Sequence, residues 1–135
     1  MARYVIDATT LVHLVATDIH VDSGHQLVGP NSLRSQALSL LLGAVRRGEL
    51  SEAEALAQHE RHTELKIRLL GDRVSRRTAW NFALEHGWDT LDEAEYLALT
   101  KLQADALITI DPDLKLKAKD VVPLAQLDAL TAGHA

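Results

Sequence analysis

Two short apolar runs, "YVI" at Tyr4 to Ile6 and "ALITI" at Ala106 to Ile110, each lead straight into an aspartate, Asp7 and Asp111. Runs this short and rich in β-branched residues read as strands buried on both faces, and the stretches between them have helical spacing. Strands of that kind need helices on either side, which predicts an α/β fold with a central parallel sheet. In such sheets ligands gather beyond the carboxyl ends of the strands, where strand order reverses. An acid at the end of two separate strands therefore raises the question of a site. Each aspartate also has a purely local explanation, since Asp caps helices and starts turns.

The intervening segments support this layout. "TTLVHLVAT" reads as a short helix, and "DIHVDSGHQLVGP" as a loop with a brief strand around Leu27 and Val28. From Pro30, Leu33, Ala37, Leu40, Leu41 and Ala44 recur at helical spacing towards a stop at Gly48. "SEAEALAQHERH" opens with a capping box, Ser51 and Glu54. "LKIRLLG" fits either a loop or a short strand, and a helix runs from Asp72 to a stop at Gly87. A second capping box, Thr90 and Glu93, introduces the helix of "TLDEAEYLAL", and a last short strand is expected at Val121 and Val122, followed by a small helix after Pro123. At 135 residues and 47% hydrophobic, residues 1–135 fit one domain with its own core.

Composition narrows the chemistry. Without cysteine, disulfides, zinc-thiolate sites and a cysteine nucleophile are excluded. No run is long enough to span a bilayer and the N-terminal pattern is not that of a signal peptide, so a soluble cytoplasmic protein with no membrane contact is expected. The 14 Lys and Arg against 19 Asp and Glu leave a net charge of −5, which disfavours nucleic-acid binding through bulk charge but leaves local patches open. Arg68, Arg73, Arg76 and Arg77 form one such segment, and Arg46 and Arg47 another.

A parallel sheet would bring Asp7, Asp111 and the acids at the start of the "DEAEYLAL" helix to one rim. Several carboxylates repel one another unless a cation holds them. Oxygen ligands with no cysteine and no convincing histidine pair point to Mg²⁺ or Mn²⁺, and a carboxylate-held ion of that type suits phosphodiester hydrolysis. "HERH" places His59 and His62 on one helix face, but nothing completes a site around them; they and His13, His20, His25, His86 and His134 read as surface residues. Trp80 and Phe82 read as core, and Trp88 as either core or surface. No glycine-rich phosphate loop or Ser/His/Asp pattern is present.

In the order of "YVIDATTLV", "PNSLRSQALSLL" and "AEYLALTKLQADALITIDPDL", the chain resembles PIN-domain ribonucleases of the VapC toxin type over essentially its whole length. The resemblance implies a PIN-like α/β fold, RNA cleavage dependent on Mg²⁺ or Mn²⁺, a homodimer, and inhibition by a small cognate antitoxin. It implies Asp7, Glu93 and Asp111 as metal-holding acids, with Asp92 the alternative to Glu93. Thr9 would support Asp7 through its hydroxyl, with Thr109 and Asp113 close to Asp111. Gln36 stands where the family pattern has glutamate. Its amide can orient a water or substrate but is a poor general base, so a catalytically impaired PIN-fold binding or regulatory protein is the alternative. An unrelated α/β domain would leave the acids scattered.

Overall fold

In the computed structural model, which describes residues 2–131, the chain runs β1 (Arg3–Ile6), α1 (Ala8–Ala16), β2 (Gln26–Pro30), α2 (Leu33–Arg46), α3 (Glu52–Glu64), β3 (Ile67–Leu70), α4 (Arg73–His86), α5 (Asp92–Gln103), β4 (Ala106–Ile108) and α6 (Pro112–Ala118), then a 3-10 turn at Leu127–Leu130. The four strands form a parallel sheet in the order β3-β2-β1-β4. Val5 pairs with Val28 of β2 on one side and with Leu107 of β4 on the other. β1 thus lies inside the sheet, and Val5, Ile6, Leu107 and Ile108 are fully buried between helices carrying Leu11, Leu33, Leu97 and Leu114. β3 is the outer strand beside β2, with Arg68 exposed. Its half-buried pattern explains why the sequence left it between loop and strand.

Helix ends follow local chemistry in most places. Ser51 and Glu54 close the expected capping box. Asp72 and Ser75 form another, in which the Ser75 backbone N–H donates to the Asp72 carboxylate at 2.8 Å and the Asp72 N–H to the Ser75 hydroxyl at 2.9 Å. Gly87 ends α4 in the left-handed conformation, φ 72°, which glycine adopts without steric cost. The Thr90–Glu93 box does not form: α5 begins after Leu91 with no side-chain cap. The expected strand at Val121 and Val122 is also absent. The chain instead meets β4 two residues later, through a single bridge between Leu107 and Leu124, and the small helix after Pro123 is the 3-10 turn. Pro30 closes β2 rather than opening α2, which starts at Leu33.

Two packing features position the rim of the sheet. Ala79 and Ala83 of α4 meet Ala94 and Ala98 of α5; small residues on both sides allow the helices to approach closely. At Gly29, an added Cβ would lie 2.5 Å from Cδ2 of Leu33, which is fully buried. Gly29→Ala should therefore force Leu33 out of its site and cost about 1–3 kcal/mol, measurable as a lower urea midpoint with unchanged slope.

His62 is buried, not a surface residue, and neither ring nitrogen has a hydrogen-bond partner among the described residues. Burial, then repulsion from His59, Arg34 and Arg61, holds its pKa down to about 4 against an ordinary 6.5. The unfolded chain accepts a proton that folded His62 refuses, so this residue makes stability fall as pH drops through 6.5 towards 4, by up to about 1.4 kcal/mol per pH unit. Urea unfolding of His62→Leu should show a flatter pH dependence across that window; an unchanged slope would assign the acid sensitivity elsewhere.

Candidate functional site

All four strands point their carboxyl ends at one rim, and α1, α2, α4 and α6, each of which follows a strand, begin there. Strand order reverses between β1, which continues outward to β2 and β3, and β4 on its other side. Asp7 leaves β1 and the segment Thr109 to Asp111 leaves β4 beside this switch point, the expected ligand position of such sheets.

Asp7 is 4% exposed. It caps α1, accepting from the Thr10 backbone N–H at 3.3 Å and from the Thr10 hydroxyl. Burial pushes its carboxyl pKa up, and the Thr10 and Thr109 hydroxyls only partly offset this. The hydroxyl support expected from Thr9 comes instead from Thr10, because the third residue after a helix cap turns its side chain and N–H back to the cap. The Thr10 oxygen also accepts from the Ile110 N–H at 3.1 Å, tying the first turn of α1 to the segment that leaves β4. Thr109 accepts from the Asp111 N–H at 3.0 Å and reaches Asp7 with its hydroxyl, so it links the two strand-end aspartates. Asp111 itself caps α6, accepting from the Asp113 N–H at 3.0 Å. Both local explanations for the aspartates therefore hold, alongside their convergence.

Across the rim, the buried Tyr96 hydroxyl donates to the Gln36 side-chain oxygen, and the Gln36 amide nitrogen donates to Ser32 at 3.1 Å. Burial, then the charge of Asp7, drives the Tyr96 pKa upward; the Ala8 N–H opposes this, while Asp92 and Glu95 add to it. Tyr96 therefore sits where Asp7, Asp92 and Glu95 all bear on one hydroxyl. Gln36 is at this site, but both ends of its amide are occupied by protein groups, so it holds Tyr96 and Ser32 rather than presenting a free amide.

Glu93 points elsewhere. Its carboxylate pairs with Lys117 of α6, which also lies 3.5 Å from Asp113. The expected grouping of Glu93 with Asp7 and Asp111 does not form, and among the described residues no three acids or histidines are gathered closely enough to hold a metal by themselves. The reason is the Lys117 ammonium, which draws the Glu93 carboxylate to α6. Asp92, Glu95, Tyr96 and Leu99 share one face of α5, and Glu93 is turned about 100° from Asp92. Asp92 and Glu95 line a cleft with Asn31, Ser32, Gly71 and Arg76. Burial, then Asp92, raises the Glu95 pKa, and Arg76 lowers it. Reading α5 by its i, i+3, i+4 pattern would have found Asp92, Glu95 and Tyr96 together; nothing in the sequence pointed to Lys117.

Among the aromatic residues nearby, one departs from expectation. Trp80 is 55% exposed, not core. Phe82 is half-buried with the Lys101 ammonium 5.5 Å from its ring centre. Trp88 stacks on His86 at 4.9 Å and lies 5.7 Å from the Lys117 ammonium.

No protein-family model matches the chain, and no curated protein sequence matches it. Solved structures do. PAE2754 from Pyrobaculum aerophilum superposes with a TM-score of 0.73 at 21% identity, covering 96% of this chain and 93% of that one. A chain of VapBC-1 from nontypeable Haemophilus influenzae superposes with a TM-score of 0.56 at 14% identity, covering 92% of this chain and 97% of that one. Both likenesses run along nearly the whole of each chain, and the parallel α/β fold expected of a PIN-like chain is the fold this protein has.

Proposed function

We propose that this protein is a divalent-metal-dependent endoribonuclease of the VapC type, restrained by a small antitoxin and active as a homodimer. The observation that carries the reading is Asp7, a carboxylate buried at the switch point with its pKa pushed up and linked through Thr109 to Asp111. Buried acids with perturbed proton affinity concentrate at functional sites. The likeness to a chain of VapBC-1 agrees with the motif resemblance.

The donor set suits Mg²⁺ or Mn²⁺, which take oxygen ligands and, for Mg²⁺, commonly only one or two protein carboxylates with waters completing the shell. Asp7 and Asp111 would hold the ion, with Asp92 rather than Glu93 the nearest further acid across Tyr96. When bound, such an ion supplies an activated water and neutralises charge building on a phosphodiester. The protein's own part is positional. Thr10 and Thr109 fix the Asp7 carboxylate, Gln36 and Tyr96 hold the facing side of α5 in register, and Arg76 sets a positive charge beside Asp92 and Glu95 where a phosphate would otherwise meet only acids.

Gln36 also favours a second reading, a PIN-fold binding protein without catalysis, because a neutral amide stands where the family pattern has an acid. Purified protein incubated with mixed RNA and Mn²⁺ separates the two: the ribonuclease reading expects cleavage, reduced about 100-fold or more in Asp7→Asn. Cleavage unchanged in that variant would reject the site.

Asp7→Asn has a second expected effect. The raised pKa means that ionised Asp7 costs stability at neutral pH, a cost lost as pH falls through that raised value. In EDTA at pH 7 the variant should melt above the parent protein, since asparagine retains the helix cap, and it should lose the rise in Tm that Mn²⁺ gives the parent. Restoring the acid with Gln36→Glu should lower the Mn²⁺ concentration for half-maximal cleavage roughly tenfold, as added ligand charge tightens cation sites. An unchanged or higher requirement would count against metal binding beside residue 36.

A further inference from the structure

We propose that the outward face of α4 is a platform for single-stranded RNA, on which Trp80 stacks a base while Arg73 and Arg77 hold the neighbouring phosphates. Trp80 and Leu84 stand 55% and 72% exposed, an unusual position for an indole, which is buried on average. Residues 73, 77, 80 and 84 fall within about 60° of one another around the helix, so the two arginines and the tryptophan form one stripe. Arg76, flanking that stripe, lines the cleft with Asp92 and Glu95. The platform is therefore continuous with the acidic site.

Charge selects the occupant. Arg73, Arg76 and Arg77 are exposed and make no ion pair among the described residues, although the chain has a net charge of −5. The Arg73 and Arg77 guanidinium groups, beside one exposed aromatic, match a polyanion whose bases present π-faces, the combination used by single-strand binding surfaces, while Arg76 already faces Glu95. For an acidic protein, this patch supplies the phosphate affinity that the cleft cannot. The proposal rests on the ribonuclease reading only for where the strand goes next; binding is tested without cleavage.

The experiment measures fluorescence anisotropy of labelled 12-nucleotide oligo(U) and oligo(A) RNA in EDTA at several salt concentrations. Trp80→Ala should weaken binding roughly tenfold, and Trp80→Phe should recover most of the loss, as expected for a stacked base. Arg73→Ala with Arg77→Ala should flatten the log–log salt dependence by about 1.4, two phosphates' worth. Arg46→Ala with Arg47→Ala, at the far end of α2, should bind like the parent. Circular dichroism and light scattering accompany each variant. The proposal is overturned if the parent binds neither oligomer, if Trp80→Ala binds as tightly as the parent, or if that substitution changes the oligomeric state and leaves RNA binding intact. Cleavage in Mn²⁺ indifferent to Trp80 would overturn it while sparing the ribonuclease reading. Trp80-dependent binding without any cleavage would support the platform and remove the ribonuclease reading.

Discussion

The ladder that places β1 between β2 and β4 governs the rest of the molecule. Because Val5 and Ile6 are fully buried and Tyr4 and Val5 are paired on both edges, the strand can offer chemistry only where it ends. All its neighbours run the same way, so every strand end and four helix starts converge on one rim. Asp7 is the point where this geometry and the chemistry meet. It satisfies a helix N-terminus, yet burial makes its charge costly.

The opposite side of the rim is set by α5. The alanine contact with α4 brings the two helices together, which puts Arg76 beside Glu95 and leaves Trp80 on the outside. Tyr96 and Gln36 join α5 to α2 directly over Asp7. A glutamate at position 36 could accept the same hydrogen bond from Tyr96, so the glutamine preserves the scaffold while removing a charge. That distinction explains how the hydrogen-bonded scaffold between α2 and α5 is kept with a neutral side chain at its centre.

Legibility in the sequence followed the range of the interaction. The Ser51–Glu54 box, the Asp72 start and Gly87 stop of α4, and both inner strands were readable because each depends on residues within a turn or a short run. The Val121–Val122 strand was misread because apolar β-branched residues do not say whether a partner edge is within reach, and β4 accepts only one bridge at Leu124. Trp80 was misread as core because periodicity shows that a helix has an apolar side without showing which residues the neighbouring helix covers.

The sequence by itself determined the alternation of buried strands and helices, the acids that end β1 and β4, and the presence of Gln36 in the helix after Pro30, since these rest on local spacing and residue type. Tertiary structure decided which hydroxyl holds Asp7 and which acid of "DEAEY" pairs with Lys117. Thr10 rather than Thr9 serves because the cap geometry and the Ile110 N–H both select it. Glu93 leaves the site because Lys117, 24 residues further on, is brought to its side of α5 by the packing of α6. The direction of the Glu93 carboxylate is set by a cation near it in space, and no spacing along the chain encodes that distance.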